Sequence, residues 1–173
     1  MSPSARNSAL DISIAWRLRS SWSALQLLDR VARHVAAAEK FKSGQLSIAI
    51  VGQRAMRTLH QRYLAQSGPT DVLAFDLGCD PATGILDGEI IICADVARRR
   101  ARAVLRQKIH PTEAQLLATA RHELALYLTH GILHLAGYED HTPAGFRRMH
   151  AREDQLLGEL GLGPIFARGN TSG

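Results

Sequence analysis

The stretch DVLAFDLGCDPATGILDGEIIICA, residues 71–94, holds two apolar runs, DVLAFDL (71–77) and GEIIICA (88–94), around the Gly/Pro/Asp-rich segment GCDPATGILD. β-Branched and aromatic residues suit a pleated strand, whereas Gly, Pro and Asp suit turns, so the segment reads as two strands with no helix between them. A repeating βαβ layout would place a helical crossover there. Upstream, DISIAWR (11–17) alternates and suits an edge strand, and Ser21 or Ser23 is placed to cap a helix over 22–40. LSIAIVG (46–52) reads as a buried strand, and RAMRTLHQRYLAQ (54–66) as a helix with Met56, Leu59, Tyr63 and Leu64 on one stripe, stopping before Gly68-Pro69. Downstream, helices are predicted over 94–108, from Pro111 to about 136, and over 143–159. The order β-α-β-α-β-β-α-α-α predicts an α+β fold, a small mixed β-sheet of about four strands covered by about five helices. Residues 9–166 are expected to form a single domain, with loose polar ends at 1–8 and 167–173.

Bulk properties agree with one soluble core. The chain has 173 residues, 46% hydrophobic and 21% charged, and nothing in it approaches the roughly 18 unbroken apolar residues of a membrane span. The start, MSPSARNSALDISIAWRLRSS, lacks the basic-then-apolar pattern of a secretory signal, so a cytoplasmic location is expected. Cys79 and Cys93 form no CxxC pair and read as packing residues. The net charge of +5 and a pI near 9.8 suit a polyanionic partner, nucleic acid first, although a modest basic excess also serves solubility alone.

The chemistry concentrates in HGILHLAGYEDH, residues 130–141. Residues four apart share a helix face, so His130 and His134 can direct two imidazoles at one point. Gly137 is a natural helix C-cap, letting the chain fold back so that a residue just beyond it supplies a third ligand. Three protein ligands with a fourth position open is the arrangement of catalytic zinc, whereas structural zinc is usually closed by four. A lone HxxxH pair is more often a chance packing feature; the glycine turn and the acid and imidazole cluster beyond it favour a metal. The HExxH zinc hydrolases carry a glutamate base directly after the first histidine, where this chain has Gly131. Glu123, two helical turns before His130 on the same face, could orient His130 or approach the metal water, with an ordinary ion pair as the commoner role.

HGILHLAGYEDH resembles the H-G-x-L-H-L-x-G-Y-D-H signature of the YbeY family, bacterial zinc-dependent endoribonucleases and ribosomal RNA maturation factors. GPTDVLAFDL (68–77) resembles the family's P-T-D-V-L-S-F, and LDGEIIIC (86–93) its L-G-D-I-v-I block. The resemblance covers about residues 46–160 and implies a single α+β domain, one Zn2+ per chain held by three histidines, and a role in processing and quality control of small-subunit ribosomal RNA. It implies ribosomal RNA and the ribosome or small-subunit assembly proteins as partners, and no membrane. GYEDH carries one acid more than the family's GYDH. Either the loop bulges and His141 is the third ligand, or the register is kept and Asp140 coordinates through oxygen; both chemistries bind zinc at about 2.0–2.2 Å. His141 is preferred, because a loop absorbs an insertion easily and the Asp-His order is kept; Glu139 is expected to face solvent. The family typically reads L-N-x-x-Y-R-x-x-D-x-P-T-D, its arginine thought to face the scissile phosphate. This chain reads LHQRYLAQSGPTD, with His60, Leu64 and Ser67 at the asparagine, arginine and aspartate positions. Leucine cannot stabilise phosphate charge, and Arg62 substitutes only if its long side chain wraps around the helix.

In ADVARRRARAVLRQK (94–108), Arg98, Arg102 and Arg106 fall at i, i+4 and i+8, a stripe able to track phosphates, flanked by Arg99 and Lys108. A solvated helix face is the commoner role of such a run; with the net charge and the resemblance it favours RNA contact. The expected function is a zinc-dependent single-strand endoribonuclease of ribosomal RNA maturation. In it His130, His134 and His141 act through a zinc-bound water of pKa lowered towards ~7. The alternatives are a non-catalytic ribosome-assembly factor with structural zinc, which fits the loss of arginine at Leu64, and a metalloprotease-like hydrolase, which Gly131 disfavours.

Overall fold

The computed structural model describes residues 9–64, 70–108 and 110–163, without the side chains of Leu64 and Gln107. The expected loose ends (1–8 and 167–173), Ser67 and the Gly68-Pro69 stop lie outside the described residues. The elements are β1 (Leu10–Trp16), α1 (Leu25–Ala38), β2 (Gly44–Val51), α2 (Gln53–Leu64), β3 (Val72–Asp76), β4 (Gly88–Cys93), α3 (Ala94–Val104), a short 3-10 turn (Leu105–Gln107), α4 (Glu113–Leu135) and α5 (Pro143–Glu159). The order is the one expected, and the architecture is α+β with one four-stranded sheet.

The sheet runs β1-β2-β4-β3, with β1 and β3 at the edges. β1 pairs with β2 and β2 with β4 in parallel, whereas β3 is antiparallel to β4, Val72 opposite Ile92 and Asp76 opposite Gly88. The sheet is therefore mixed, and its one antiparallel pair is the strand-loop-strand segment 71–94. Side chains alternate across it. Leu46, Ile48, Ile50, Ile90 and Ile92 face the main core with Leu28, Val31 and Val35 of α1 and Leu124, Leu128 and Ile132 of α4. Ala49, Val51, Leu73, Ile91 and Cys93 face the other way, where Met56 of α2 covers them. No helix among the described residues is long and apolar enough to cross a membrane.

Two local expectations need correction. Helix α1 begins at Leu25 with Ala24 as its N-cap and no side-chain cap, so neither Ser21 nor Ser23 caps it. Trp22 is buried against the edge of Trp16, and the Ser20 hydroxyl donates to the Trp22 carbonyl at 2.8 Å. Core burial of Trp22 holds residues 20–24 out of the helix. On α2, Tyr63 is 56% exposed and His60 is buried in its place, because α2 meets the sheet through Met56 and turns Tyr63 outward against Phe75.

Helix α4 carries the expected site segment and has clear ends. Thr112 forms a capping box with Gln115 at its start. At its end Gly137, with φ +88°, makes a Schellman turn, its N–H donating to the His134 carbonyl at 3.0 Å while the Tyr138 N–H donates to Leu133 at 3.0 Å. At Gly131 α4 lies close against the sheet: a Cβ there would meet two Ile90 carbons at 3.1 Å. The position that bears the base in HExxH enzymes is thus pressed against strand β4 and faces away from any site.

Candidate metal centre

His130 and His134, one turn apart on α4, bring their Nε2 atoms within 2.9 Å of each other. The Asp140 Oδ2 atom lies 3.7 Å from His130 Nε2 and 3.9 Å from His134 Nε2. One donor atom from each of these three residues lies within 4.8 Å of the others, a group able to hold a metal ion. His141 differs from the expectation. Its side chain is 71% exposed, with Nε2 3.6 Å from Glu139 and Nδ1 3.6 Å from Asp140 Oδ1, and it is not part of the group. The extra residue of GYEDH is accommodated by turning His141 outward. The physical reason is helix α5, whose N-cap Thr142 accepts from the Gly145 N–H at 3.0 Å and whose Gly145 sits against the Glu139 carbonyl. That contact fixes the loop so that Asp140 points inward.

The outer nitrogens of both histidines are engaged. His134 Nδ1 lies 3.0 Å from the Tyr138 carbonyl oxygen, which only accepts, so Nδ1 carries the proton and Nε2 presents a lone pair. His130 Nδ1 donates to Glu153 Oε1 at 2.7 Å. Glu153 is fully buried, and its other oxygen meets His150 Nδ1 at 2.5 Å. Both Nε2 atoms therefore converge on one point that takes a proton or a cation. This donor set fits a divalent metal of the kind that accepts imidazole and carboxylate, each histidine held by an acceptor on its far nitrogen. Burial disfavours charge on His130, but the hydrogen bond and charge of Glu153, with Asp140 and Asp71, outweigh it and hold its pKa above the ordinary value. His134 is held below its ordinary value by burial and by the neighbouring charge of His130.

Beside the group lies a cleft of about 470 Å³ between α3, α4 and α5. His130, His150 and Glu153 form one end of its lining, and Glu123, Tyr127 and Asp71 are also among its walls. Glu153 occupies the orienting position beside His130 that was one of the roles considered for Glu123. Glu123 is hydrogen-bonded to Tyr127, and burial raises its pKa. Glu153 and His150 were not singled out in the sequence. Glu153 did leave a signal there, since a carboxylate inside the stripe Met149, Leu156, Leu157 of a helix calls for a buried partner.

The three arginines of the expected stripe gather about Glu113, away from the cleft. Arg98 pairs with Glu113 at 3.4 Å, and Arg102 and Arg106 line a separate depression with Glu113 and Lys108. The basic residues on the cleft are Arg99 and Arg100. Arg62 is exposed, with its guanidinium 5.8 Å from the centre of the Tyr63 ring, and is not among the residues lining the cleft. Leu64's side chain is outside the described set.

Residues 15–161 match the model of the family described as endoribonuclease YbeY. The chain belongs to the YbeY family. It is 36% identical over 144 residues to an endoribonuclease YbeY of Anaeromyxobacter sp. (strain Fw109-5), covering 83% of this chain and 68% of that protein. It is 38% identical over 143 residues to one of Frankia alni, covering 75% of this chain and 71% of the relative. The solution structure of TM1509 from Thermotoga maritima shares the fold, with a TM-score of 0.55 and 24% identity over 87% of this chain and 91% of that one. The YbeY match takes in β2, β3, β4 and the whole of HGILHLAGYEDH, with only the last two residues of β1.

Proposed function

We propose that the protein is a metal-dependent endoribonuclease that cleaves single-stranded segments of ribosomal RNA during maturation and quality control of the small subunit. The family supports the RNA substrate. The observation that carries the reading is the placement of His130, which belongs both to the His130–His134–Asp140 donor group and to the wall of the cleft. A substrate phosphate in that cleft would lie directly beside the donors. Three protein donors leave a further position for water or phosphate, as in catalytic rather than structural zinc sites.

The ligands in this reading are His130, His134 and Asp140, and zinc is the metal that imidazole and carboxylate in this number suit. Bound there, such an ion supplies a Lewis acid for the phosphodiester and a lowered pKa for water. Glu153 and the Tyr138 carbonyl keep the imidazole protons on Nδ1 and so keep Nε2 available. Glu123 and Tyr127 wall the cleft further along, with Val96 and Leu126 as apolar lining. The setting is cytoplasmic, where ribosomes assemble, with ribosomal RNA and small-subunit assembly proteins as partners.

Incubation of zinc-loaded protein with a small-subunit ribosomal RNA fragment tests this. Cleavage by the wild-type protein and its loss in His134→Ala are expected; equal background from both would sink the reading in favour of a non-catalytic assembly factor.

A further inference from the structure

We infer that Arg99 and Arg100 hold an RNA backbone phosphate next to the one at the histidine group, supplying the cation that Leu64 cannot. The inference rests on the cleft being an RNA site. Along α3, Val96, Arg99, Arg100 and Ala103 all line the cleft. Their spacing of i, i+3, i+4 and i+7 is one helical face. The facing wall is α4, where Glu123, Tyr127 and His130 succeed one another over about two turns, ~11 Å. The cleft thus continues beyond the metal donors for more than the width of one phosphate, and its only arginines are these two.

The availability of the two side chains separates them from the rest of the run. Arg98 is committed to Glu113, and Arg102 and Arg106 look into the other depression. Arg99 and Arg100 are exposed, and neither forms an ion pair with a described carboxylate; Arg99 donates a 3.4 Å hydrogen bond to Gln53 Oε1. Ala103, one turn on, is too small to block an approaching backbone. The guanidinium fork suits phosphate in two-point contact, and two adjacent forks on a rigid helix fix the strand's register against the donor group. The charge of Arg100 acts on Glu123 across the cleft, which places that arginine on the cleft side of α3.

The test uses zinc-loaded protein and a fluorescein-labelled 2′-O-methyl oligouridylate, with affinity measured by anisotropy over a range of KCl concentrations. Replacing both residues (R99A/R100A) should weaken binding about tenfold at low salt. It should also flatten the plot of log affinity against log salt by about 0.7, the share of one phosphate on a single strand. The R102A/R106A protein, with the same loss of charge, should keep an affinity within about twofold and nearly the wild-type slope. Equal losses in the two double variants would reduce the effect to net charge and overturn the assignment, as would an R99A/R100A protein indistinguishable from wild type. If wild-type protein fails both to bind the oligonucleotide and to cleave ribosomal RNA, the reading of the cleft itself falls. If it cleaves and only the arginine variants are silent in effect, the arginine assignment alone falls.

Discussion

Asp140, not His141, faces the paired imidazoles: its Oδ2 atom is 3.7 Å from His130 Nε2, whereas the neighbouring His141 side chain is 71% exposed. A metal at the convergence point would therefore draw on Asp140. Asp140→Ala should lower zinc affinity at least tenfold, ~1.4 kcal/mol, while His141→Ala stays close to wild type. Competition with a chromogenic chelator measures both. A larger loss in His141→Ala would show that the loop re-registers around the ion. Affinity should also rise with pH, since the ion displaces the proton that His130, with its raised pKa, otherwise holds.

Glu153 makes a separate prediction, because it touches His130 without belonging to the donor group. Its carboxylate is fully buried between His130 and His150. Glu153→Gln keeps the volume but offers His130 one neutral acceptor in place of a charged one. Outer partners of this kind are worth on the order of 10–100-fold in metal affinity. We expect a loss in that range, and a lower apparent zinc affinity with little change in urea-unfolding midpoint of the zinc-free protein would mark the effect as one on the site. An unchanged affinity would mean that His130 is oriented by backbone packing alone.

How much of this was legible before the fold was known differs by residue, for physical reasons. The β-branched run LSIAIVG was legible as a buried strand, and β2 is covered on both faces, Ile48 and Ile50 on one and Ala49 and Val51 on the other. DVLAFDL and GEIIICA were legible as strands around a turn-rich loop, and with no helix between them they pair antiparallel as β3 and β4. His130 and His134 were legible because helical geometry alone brings positions four apart together. The third donor depends on the path of a loop, and that path is set by α5 docking through Gly145, a contact no local pattern encodes. Glu153 lies 23 residues from His130, so its buried position was readable but its partner was not. The arginine run could be seen, yet which of its faces meets the cleft depends on how α3 packs against α4.

Glu123 supplies a pH dependence of stability. Its raised pKa comes first from burial, opposed by the Tyr127 hydrogen bond and by Arg100. A carboxyl whose folded value exceeds its unfolded one binds its proton more tightly in the native state. Below the unfolded value both states are protonated and no cost arises; as pH rises from there to the folded value, stability is lost, and above it the loss is constant. Glu123→Gln lacks this titration and can still accept from Tyr127. Urea unfolding should therefore show the variant gaining on wild type as pH rises above the ordinary carboxylate value, with no advantage at the acid end. A pH-independent difference would mean that Glu123 ionises as freely in the fold as in the unfolded chain.

Gly145 links helix α5 to the donor loop, and its replacement should be felt at the metal. A Cβ there would lie 2.3 Å from the Glu139 carbonyl oxygen and 3.2 Å from its carbon, both backbone atoms that no side-chain rotation can move aside. Either α5 retreats from the loop or residues 139 and 140 shift, and in both cases Asp140 leaves its place beside His130. Overpacking of this kind costs about 1–3 kcal/mol, more than the gain of up to ~1 kcal/mol that alanine brings to a helix. Gly158 on the same helix is the control, since a Cβ there meets nothing within 4 Å. Gly158→Ala should be neutral or stabilising and leave zinc affinity alone. Gly145→Ala should both lower the unfolding midpoint and weaken zinc binding several-fold. If Gly145→Ala loses stability and keeps full affinity, the loop reaches its donor geometry without α5, and Asp140 is held by the Gly137 turn alone.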